Sequence, residues 1–80
     1  MAVKLVFLGK LAELAGAAER QVAAPLDWDG FLAQCDSALG DAVADSRVKV
    51  ALNGVLVADR RALQAVDGDE VALLPPVSGG

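Results

Sequence analysis

Five short segments with strand character surround one longer segment with helical periodicity. The strand-like segments are residues 3–8, 20–24, 48–52, 55–57 and 70–74. In the longer segment, Phe31, Leu32, Cys35 and Leu39 fall on one helical face. One helix crossing one sheet is an economical way to bury both apolar faces of a short chain. We therefore predict an α+β fold, with a mixed sheet of about four to five strands and one main helix on one face.

The residues between these segments predict where each element begins and ends. Asp27 is expected to cap the main helix, and Gly40 to end it. A short helix over residues 10–15 is expected to stop at Gly16. Residues 41–47 are expected to be irregular, with at most one helical turn. Residues 62–66 are expected to form a short connector.

Asn53-Gly54 stands between two apolar runs, which is a strong signal for a β-hairpin. The predicted order is two strands, a helix and three strands, the β-grasp pattern of ubiquitin-like domains. In that pattern the first and last strands lie side by side in the middle of the sheet. Lys4 and Glu70 are then expected to be cross-strand partners on the face that the helix leaves open.

Alternation along the strands assigns each side chain to a face. The set expected beneath the helix is Val3, Leu5, Phe7, Val48, Val50, Leu52, Val71 and Leu73. On the opposite face, Val6, Leu8 and Leu74 are expected to form an apolar patch near the start of the C-terminal segment. Exposed apolar patches of this kind commonly mark partner-binding sites.

The charge balance narrows the classes of partner. The 80 residues contain 7 basic and 11 acidic side chains, for a net charge of −4. Nucleic-acid and anionic-membrane binding need clustered cations, so neither partner is expected.

No apolar run is long enough for a membrane span, and residues 1–8 resemble a first strand more than a signal peptide. The single cysteine rules out an internal disulfide, and we expect a cytoplasmic location.

Conventional catalytic and metal-binding groups are missing from the sequence. It contains no histidine, which removes Ser-His and Cys-His pairs and the commonest metal ligand. Cys35 shares the apolar helical face and has Asp36 beside it, which favours a core residue over a nucleophile. Trp28 is likewise expected to pack. We expect no bound metal, no cofactor and no catalysis by this chain alone.

The C-terminal residues provide the one candidate reactive group. We divide the chain into a domain over residues 1–74 and a flexible tail over residues 75–80. Pro75 and Pro76 are expected to project the tail from the sheet, because proline fixes the backbone angle φ. Gly79 and Gly80 lack side chains and can thread a narrow channel in another protein. The terminal carboxylate of Gly80 then becomes the candidate reactive group.

Several motifs together resemble a known family. They are residues 7–16 (FLGKLAELAG), 52–54 (LNG), 67–71 (DGDEV) and 74–80 (LPPVSGG). The chain resembles the MoaD-type small subunit of molybdopterin synthase, a ubiquitin-like sulfur carrier, over essentially its whole length. It departs from that pattern at Ala12, where the family often has an arginine, and at Leu74, where it often has an aromatic residue.

The resemblance implies a sulfur-transfer cycle. An E1-like enzyme uses ATP to adenylate the Gly80 carboxylate, and a sulfur donor converts it to a thiocarboxylate. The tail then enters the large catalytic subunit of a heterotetramer and gives sulfur to cyclic pyranopterin monophosphate, in molybdenum cofactor biosynthesis. Pro75, Pro76, Val77 and Ser78 are implied to contact that subunit, with Val6, Leu8 and Leu74 on the open face.

Two other functions remain open at this point. A sulfur carrier for thiazole (thiamine) or cysteine synthesis shares the fold and the Gly-Gly end, although Pro75-Pro76 favours the molybdopterin branch. A ubiquitin-like protein modifier would use Gly80 to form an isopeptide bond with a lysine. A free-standing enzyme that uses Cys35 is the weakest alternative.

Overall fold

The fold is described from a computed structural model, which covers residues 2–76. It contains seven strands, three α-helices and one 3₁₀ helix within that range. The elements are β1 Ala2–Phe7, α1 Lys10–Ala15, β2 Glu19–Ala23, β3 Leu26–Asp27, α2 Trp28–Gln34, α3 Ser37–Ala44, β4 Lys49–Leu52, β5 Val55–Leu56, the 3₁₀ helix Arg60–Ala62, β6 Gln64–Ala65 and β7 Glu70–Leu74.

Five strands form the main sheet, in the order β2-β1-β7-β4-β5. The first and last strands are neighbours at its centre and run parallel, with Lys4 opposite Glu70 and Phe7 opposite Leu73. The other pairs in this sheet are antiparallel. The predicted mixed sheet and β-grasp order are therefore confirmed.

The hydrophobic core lies between this sheet and the helices. Every residue of the predicted core set is buried except Leu52, which is half-buried. The helices add Leu11, Phe31, Leu39 and Val43 from the other side. Phe31 stacks on Phe7 with ring centroids 6.4 Å apart, which joins α2 to the central strand β1. The alternation along the strands thus assigned the buried face correctly.

The predicted main helix is divided in two. Asp27 caps α2 as expected and accepts a hydrogen bond from the Gly30 amide at 2.7 Å. The backbone then becomes extended at Cys35, and Asp36 caps α3 by accepting from the Leu39 amide at 2.9 Å. An Asp side chain that can satisfy a free helical N–H favours a new helix start over continuation. Gly40 therefore lies inside α3 and does not end a helix, and residues 41–44 are helical.

A second, two-stranded sheet was not predicted. β3 pairs with β6 in antiparallel register, with Leu26 opposite Ala65. Each strand has two residues, too few to show an alternating pattern. The stretch 62–66, expected to be a connector, thus ties the chain before α2 to the chain before β7.

Candidate functional site

The face of the main sheet that the helices leave uncovered carries an apolar row. Cross-strand register places Val6 beside Ala72, Ala72 beside Ala51, and Ala51 beside Leu56. We call these four residues the open-face band. Ala51 and Ala72 are small, so the larger side chains at the two ends border a shallow centre. Leu56 is 62% exposed, and Val6 is half-buried.

Leu8 and Leu74 lie where the last strand ends. Leu8 follows β1, donates its backbone N–H to the Leu73 carbonyl at 3.2 Å and is 42% exposed. Leu74 is half-buried and lies opposite Lys49 of β4. With Pro75 and Pro76, these residues form what we call the tail exit. The open-face band and the tail exit together give a partner an apolar surface beside the C-terminal segment.

Leu56 and Ala51 were missed by the sequence analysis. The signal for them was present, because a two-residue turn at Asn53-Gly54 fixes the register of the hairpin. Leu52 must then face Val55, and Ala51 must face Leu56. Because Ala51 lies between two inward-facing residues of β4, its partner Leu56 also belongs to the open face.

Charged residues border the open-face band on the β2 side. Lys4 lies opposite Glu70 in the register, as predicted. Its ammonium group, however, forms an ion pair with Glu19 of β2, with Nζ to Oε1 at 3.4 Å. Both side chains are largely exposed, so the pair adds little to stability. It sets a polar boundary on the surface near Val6.

Pro75 and Pro76 are half-buried on the domain. They line a small groove of about 250 Å³ with residues of α1 and α3 and with Arg47. The Pro75 ring packs close to Gly9, the residue before α1. The chain thus stays on the domain surface beside α1 and α3 as far as Pro76. Projection of the tail beyond this point stays a prediction.

The remaining predicted tail residues, Val77, Ser78, Gly79 and Gly80, lie outside the described residues. The predicted contacts of Val77 and Ser78 with the large subunit, the passage of Gly79 through a narrow channel and the reactivity of the Gly80 carboxylate therefore stay predictions. The same holds for the division between a domain over 1–74 and a tail over 75–80.

Cys35 packs beside the core. It is half-buried, and its thiol donates to the Phe31 carbonyl with Sγ to O at 3.4 Å. Burial raises the pKa of the thiol, the Asp36 carboxylate raises it further, and Arg20 partly opposes them. A raised pKa reduces the thiolate, which is the nucleophilic form. These features match the predicted packing role.

Trp28 is also a packing residue, as predicted. It is 7% exposed and contacts Phe31, with ring centroids 5.2 Å apart. The Arg60 guanidinium lies over the indole at 5.2 Å from its centroid, a cation–π contact that the sequence did not predict.

Residues 2–76 contain neither a metal-binding cluster nor a membrane-spanning helix. No cluster of three or more Cys, Asp or Glu side chains is arranged to hold a metal ion. No helix in this range has the length and apolar character to cross a membrane.

The chain is similar to known proteins over its whole length. The model of the ThiS family matches residues 5–80. The molybdopterin synthase sulfur carrier subunit of Escherichia coli (strain K12) is 37% identical over 82 aligned residues, covering 98% of this chain and 99% of the relative. SAMP1 from Haloferax volcanii superposes with a TM-score of 0.75 at 26% identity, with both chains fully covered. A chain in the complex of subunits 1 and 2 of molybdopterin-converting factor from Helicobacter pylori 26695 gives 0.70 at 28% identity, again with both fully covered.

Proposed function

The chain belongs to the ThiS family, and from that membership we propose that it is a sulfur carrier, the small subunit of a molybdopterin synthase. The observation that carries the proposal is the 37% sequence identity to the E. coli sulfur carrier subunit, which extends over nearly the full length of both chains. The likeness to a chain in the H. pylori complex of two subunits supports a large-subunit partner. Pro75-Pro76 and the Gly-Gly pair fit the same role.

We assign the chemistry to the carboxylate of Gly80. An E1-like enzyme transfers AMP from ATP to this carboxylate and releases pyrophosphate. Hydrosulfide delivered by the donor then forms a C–S bond with the carbonyl carbon, the C–O bond to AMP breaks with release of AMP, and loss of the thiol proton leaves a thiocarboxylate. In the large subunit the thiocarboxylate sulfur bonds to a carbon of cyclic pyranopterin monophosphate, and water then cleaves the thioester and returns the Gly80 carboxylate. ATP belongs to the activating enzyme, and this chain holds no cofactor in the scheme.

The domain's part in this scheme is to dock and to position the tail. The open-face band and the tail exit provide a continuous apolar surface next to Pro75-Pro76. A partner that covers this surface receives the tail at a fixed place. The thiol of Cys35 has no role here, because its pKa is raised and it packs against the core.

The proposal is tested by reconstitution with the adenylating enzyme, sulfur donor and large subunit encoded in the same genome. Intact mass after loading should show one oxygen replaced by sulfur, and tandem mass spectrometry should place it at Gly80. The matched control is the chain without Gly80, which should fold and bind the large subunit but accept no sulfur. Full transfer activity by that variant would contradict the proposal.

A second candidate is a ubiquitin-like protein modifier. The observation that favours it is the structural likeness to SAMP1, named small archaeal modifier protein 1 in a further matching structure. In that case Gly80 would form an isopeptide bond with a lysine of another protein. Trypsin cuts last after Arg61, so a conjugate would leave residues 62–80 attached to the modified lysine. A mass-spectrometric search for lysines of the native host that carry this segment separates the two functions. Conjugates without any thiocarboxylate would favour the modifier.

A sulfur carrier for thiazole or cysteine synthesis is the remaining alternative, and the match to the ThiS family model is compatible with it. The choice of pathway depends on the acceptor. Incubation of the loaded carrier with the molybdopterin synthase large subunit and cyclic pyranopterin monophosphate should yield the dithiolene product. Sulfur retained by the carrier in that assay would favour the alternative.

A further inference from the structure

A second groove lies at the β5 edge of the main sheet and shares Leu56 with the open-face band. It is an open groove of about 630 Å³ between α2, the β4–β5 hairpin and the 3₁₀ helix. Trp28, Leu32, Val50 and Val57 contribute apolar surface to it. Arg61 supplies a charged side chain from the 3₁₀ helix. Lys49 lies at the rim, because it stands between the inward-facing Val48 and Val50 and so faces the open side of the sheet. The combination of an apolar lining and charged residues is typical of a binding site.

Arg60 makes one wall of this groove rigid. Its Nη1 donates to the carbonyls of Val43 at 2.6 Å and Asp45 at 2.9 Å, and its Nη2 donates to Ala44 at 2.8 Å. The same guanidinium covers the Trp28 ring. One side chain therefore fixes the 3₁₀ helix to the end of α3 and to α2. A wall held in this way is preorganised for binding.

The other wall is an open sheet edge. β5 is the last strand on its side of the main sheet, and no further described strand pairs with it. Val57 donates its N–H to the Val50 carbonyl at 2.8 Å, while Leu56 lies opposite Ala51. Bonded and non-bonded pairs alternate in an antiparallel ladder, so the N–H and C=O of Leu56 point away from β4. Val55 and Leu56 are 69% and 62% exposed beside these groups.

The charge around the groove is opposite to that of the rest of the protein. Lys49, Arg60 and Arg61 line it, with Asp59 as the one acidic residue. Asp59 is already paired with Arg61, with Oδ1 to Nε at 3.4 Å. The lining therefore carries +2, which leaves −6 on the remainder of a chain whose net charge is −4. A cationic groove on an acidic protein selects an anionic partner.

We propose that this groove binds an extended acidic segment of a partner protein, added as a further strand on the edge of β5. The main-chain groups of Leu56 would pair with the segment, its apolar side chains would face Trp28 and Val57, and its carboxylates would meet Lys49 and Arg61. A second copy of this chain is a poorer occupant, because a symmetric pair would bring two cationic rims together. This proposal does not depend on sulfur chemistry.

The groove is also placed to act alongside the tail. Lys49 lies opposite Leu74, the last residue of β7, so the rim of the groove reaches the tail exit. A protein that contacts the tail exit can therefore reach β5 with an adjacent segment. Such a second contact adds affinity through effective concentration without new contacts at the tail itself.

Trp28 provides a direct readout, because it is the only tryptophan and lines the groove. The ligand is a blocked peptide of alternating Glu and Val, roughly eight residues long, the length of a long strand. We expect a saturable change in Trp28 fluorescence that weakens as salt rises. The matched peptide with Gln in place of Glu should bind at least about tenfold more weakly.

Two pairs of variants test the two halves of the proposal. Lys49→Glu should weaken binding at least about tenfold, while Lys4→Glu, an equal charge change on β1, should have little effect. Leu56→Pro removes the outward N–H, and Leu56→Ala removes only the side chain, so the proline variant should bind more weakly. Thermal unfolding confirms that each variant is folded.

Four results would overturn the proposal. They are the lack of a saturable change at millimolar peptide, equal binding of the Glu and Gln peptides, an equal effect of Lys49→Glu and Lys4→Glu, and equal binding by the two folded Leu56 variants. A concentration-dependent change in Trp28 fluorescence without peptide, with a dimer in sedimentation, would assign the groove to a second copy instead.

Discussion

The Cγ atom of Pro75 lies 3.4 Å from the position that a Cβ atom on Gly9 would occupy. Gly9 also has φ 53° and ψ −128°, a backbone conformation that residues with a side chain rarely adopt. Gly9, the residue before α1, and Pro75, the first residue of the tail, therefore lie side by side. The backbone angles at Gly9 require glycine, whereas an added Cβ would meet the proline ring at an ordinary van der Waals distance.

Gly9→Ala should destabilise the protein by about 1–3 kcal/mol, because it forces a residue with a side chain into strained backbone angles. Gly16→Ala is the matched control, since Gly16 also has positive φ but lies in the left-handed helical region, with φ 77° and ψ 6°, which residues with a side chain can adopt. That variant should cost about 1 kcal/mol. Chemical denaturation measures both values. A cost for Gly9→Ala no larger than for Gly16→Ala would contradict the backbone strain assigned to Gly9.

Leu56→Asp and Leu74→Asp should each weaken binding to the large subunit by at least about tenfold, because each places a carboxylate in an apolar contact surface. Unfolding free energies should change less, since Leu56 is exposed and Leu74 is half-buried. Val66→Asp is the control, because Val66 is 57% exposed but lies beyond β6, outside the main sheet. Titration calorimetry with the purified large subunit measures the affinities. Equal loss of affinity in all three variants would place the interface elsewhere.

Cys35→Ala should lower stability by about 1 kcal/mol and leave sulfur transfer unchanged. The thiol packs beside the core and its pKa is raised by burial, so it should also react slowly with an alkylating agent at neutral pH. Alkylation rates from pH 7 to 10 measure this reactivity. Loss of transfer by a folded Cys35→Ala protein would revive a catalytic role for the cysteine.

The pKa of Asp45 offers a test of the local structure after α3. Its side-chain hydrogen bonds with Arg47 lower the pKa from 3.8 to about 2. A depressed carboxyl pKa stabilises the folded state above the unfolded value, and this contribution is lost as pH falls from about 3.8 towards 2. Arg47→Ala should raise the Asp45 pKa in an NMR titration. Arg61→Ala is the control, because Arg61 pairs with Asp59 and should leave Asp45 unchanged.

The predictions that succeeded rested on patterns with a fixed geometry. Alternation in residues 3–8 and 70–74 identified the two central strands, and Asn53-Gly54 identified the hairpin. Each pattern has a physical period or a required turn, so few structures satisfy it. The same hairpin also determines that Leu56 belongs to the open face. That inference needed the register to be followed one residue further along β5.

The predictions that failed concerned choices between nearly equal local energies. Phe31, Leu32, Cys35 and Leu39 keep helical spacing, yet the chain breaks at Cys35 because Asp36 provides a cap. A periodic pattern persists through such a break, since both short helices pack on the same core. Two-residue strands such as β3 and β6 form through tertiary contact, which local sequence does not encode.

The parallel pairing of β1 and β7 has a consequence for biosynthesis. β7 is also the partner of β4, so the strands on its two sides are joined only through it. A nascent chain that has exposed residues 2–69 lacks the central strand and cannot close the sheet. Folding must therefore wait until translation has delivered the last strand beyond the ribosome, and a fragment cut before Glu70 should be recognised as unfolded and degraded.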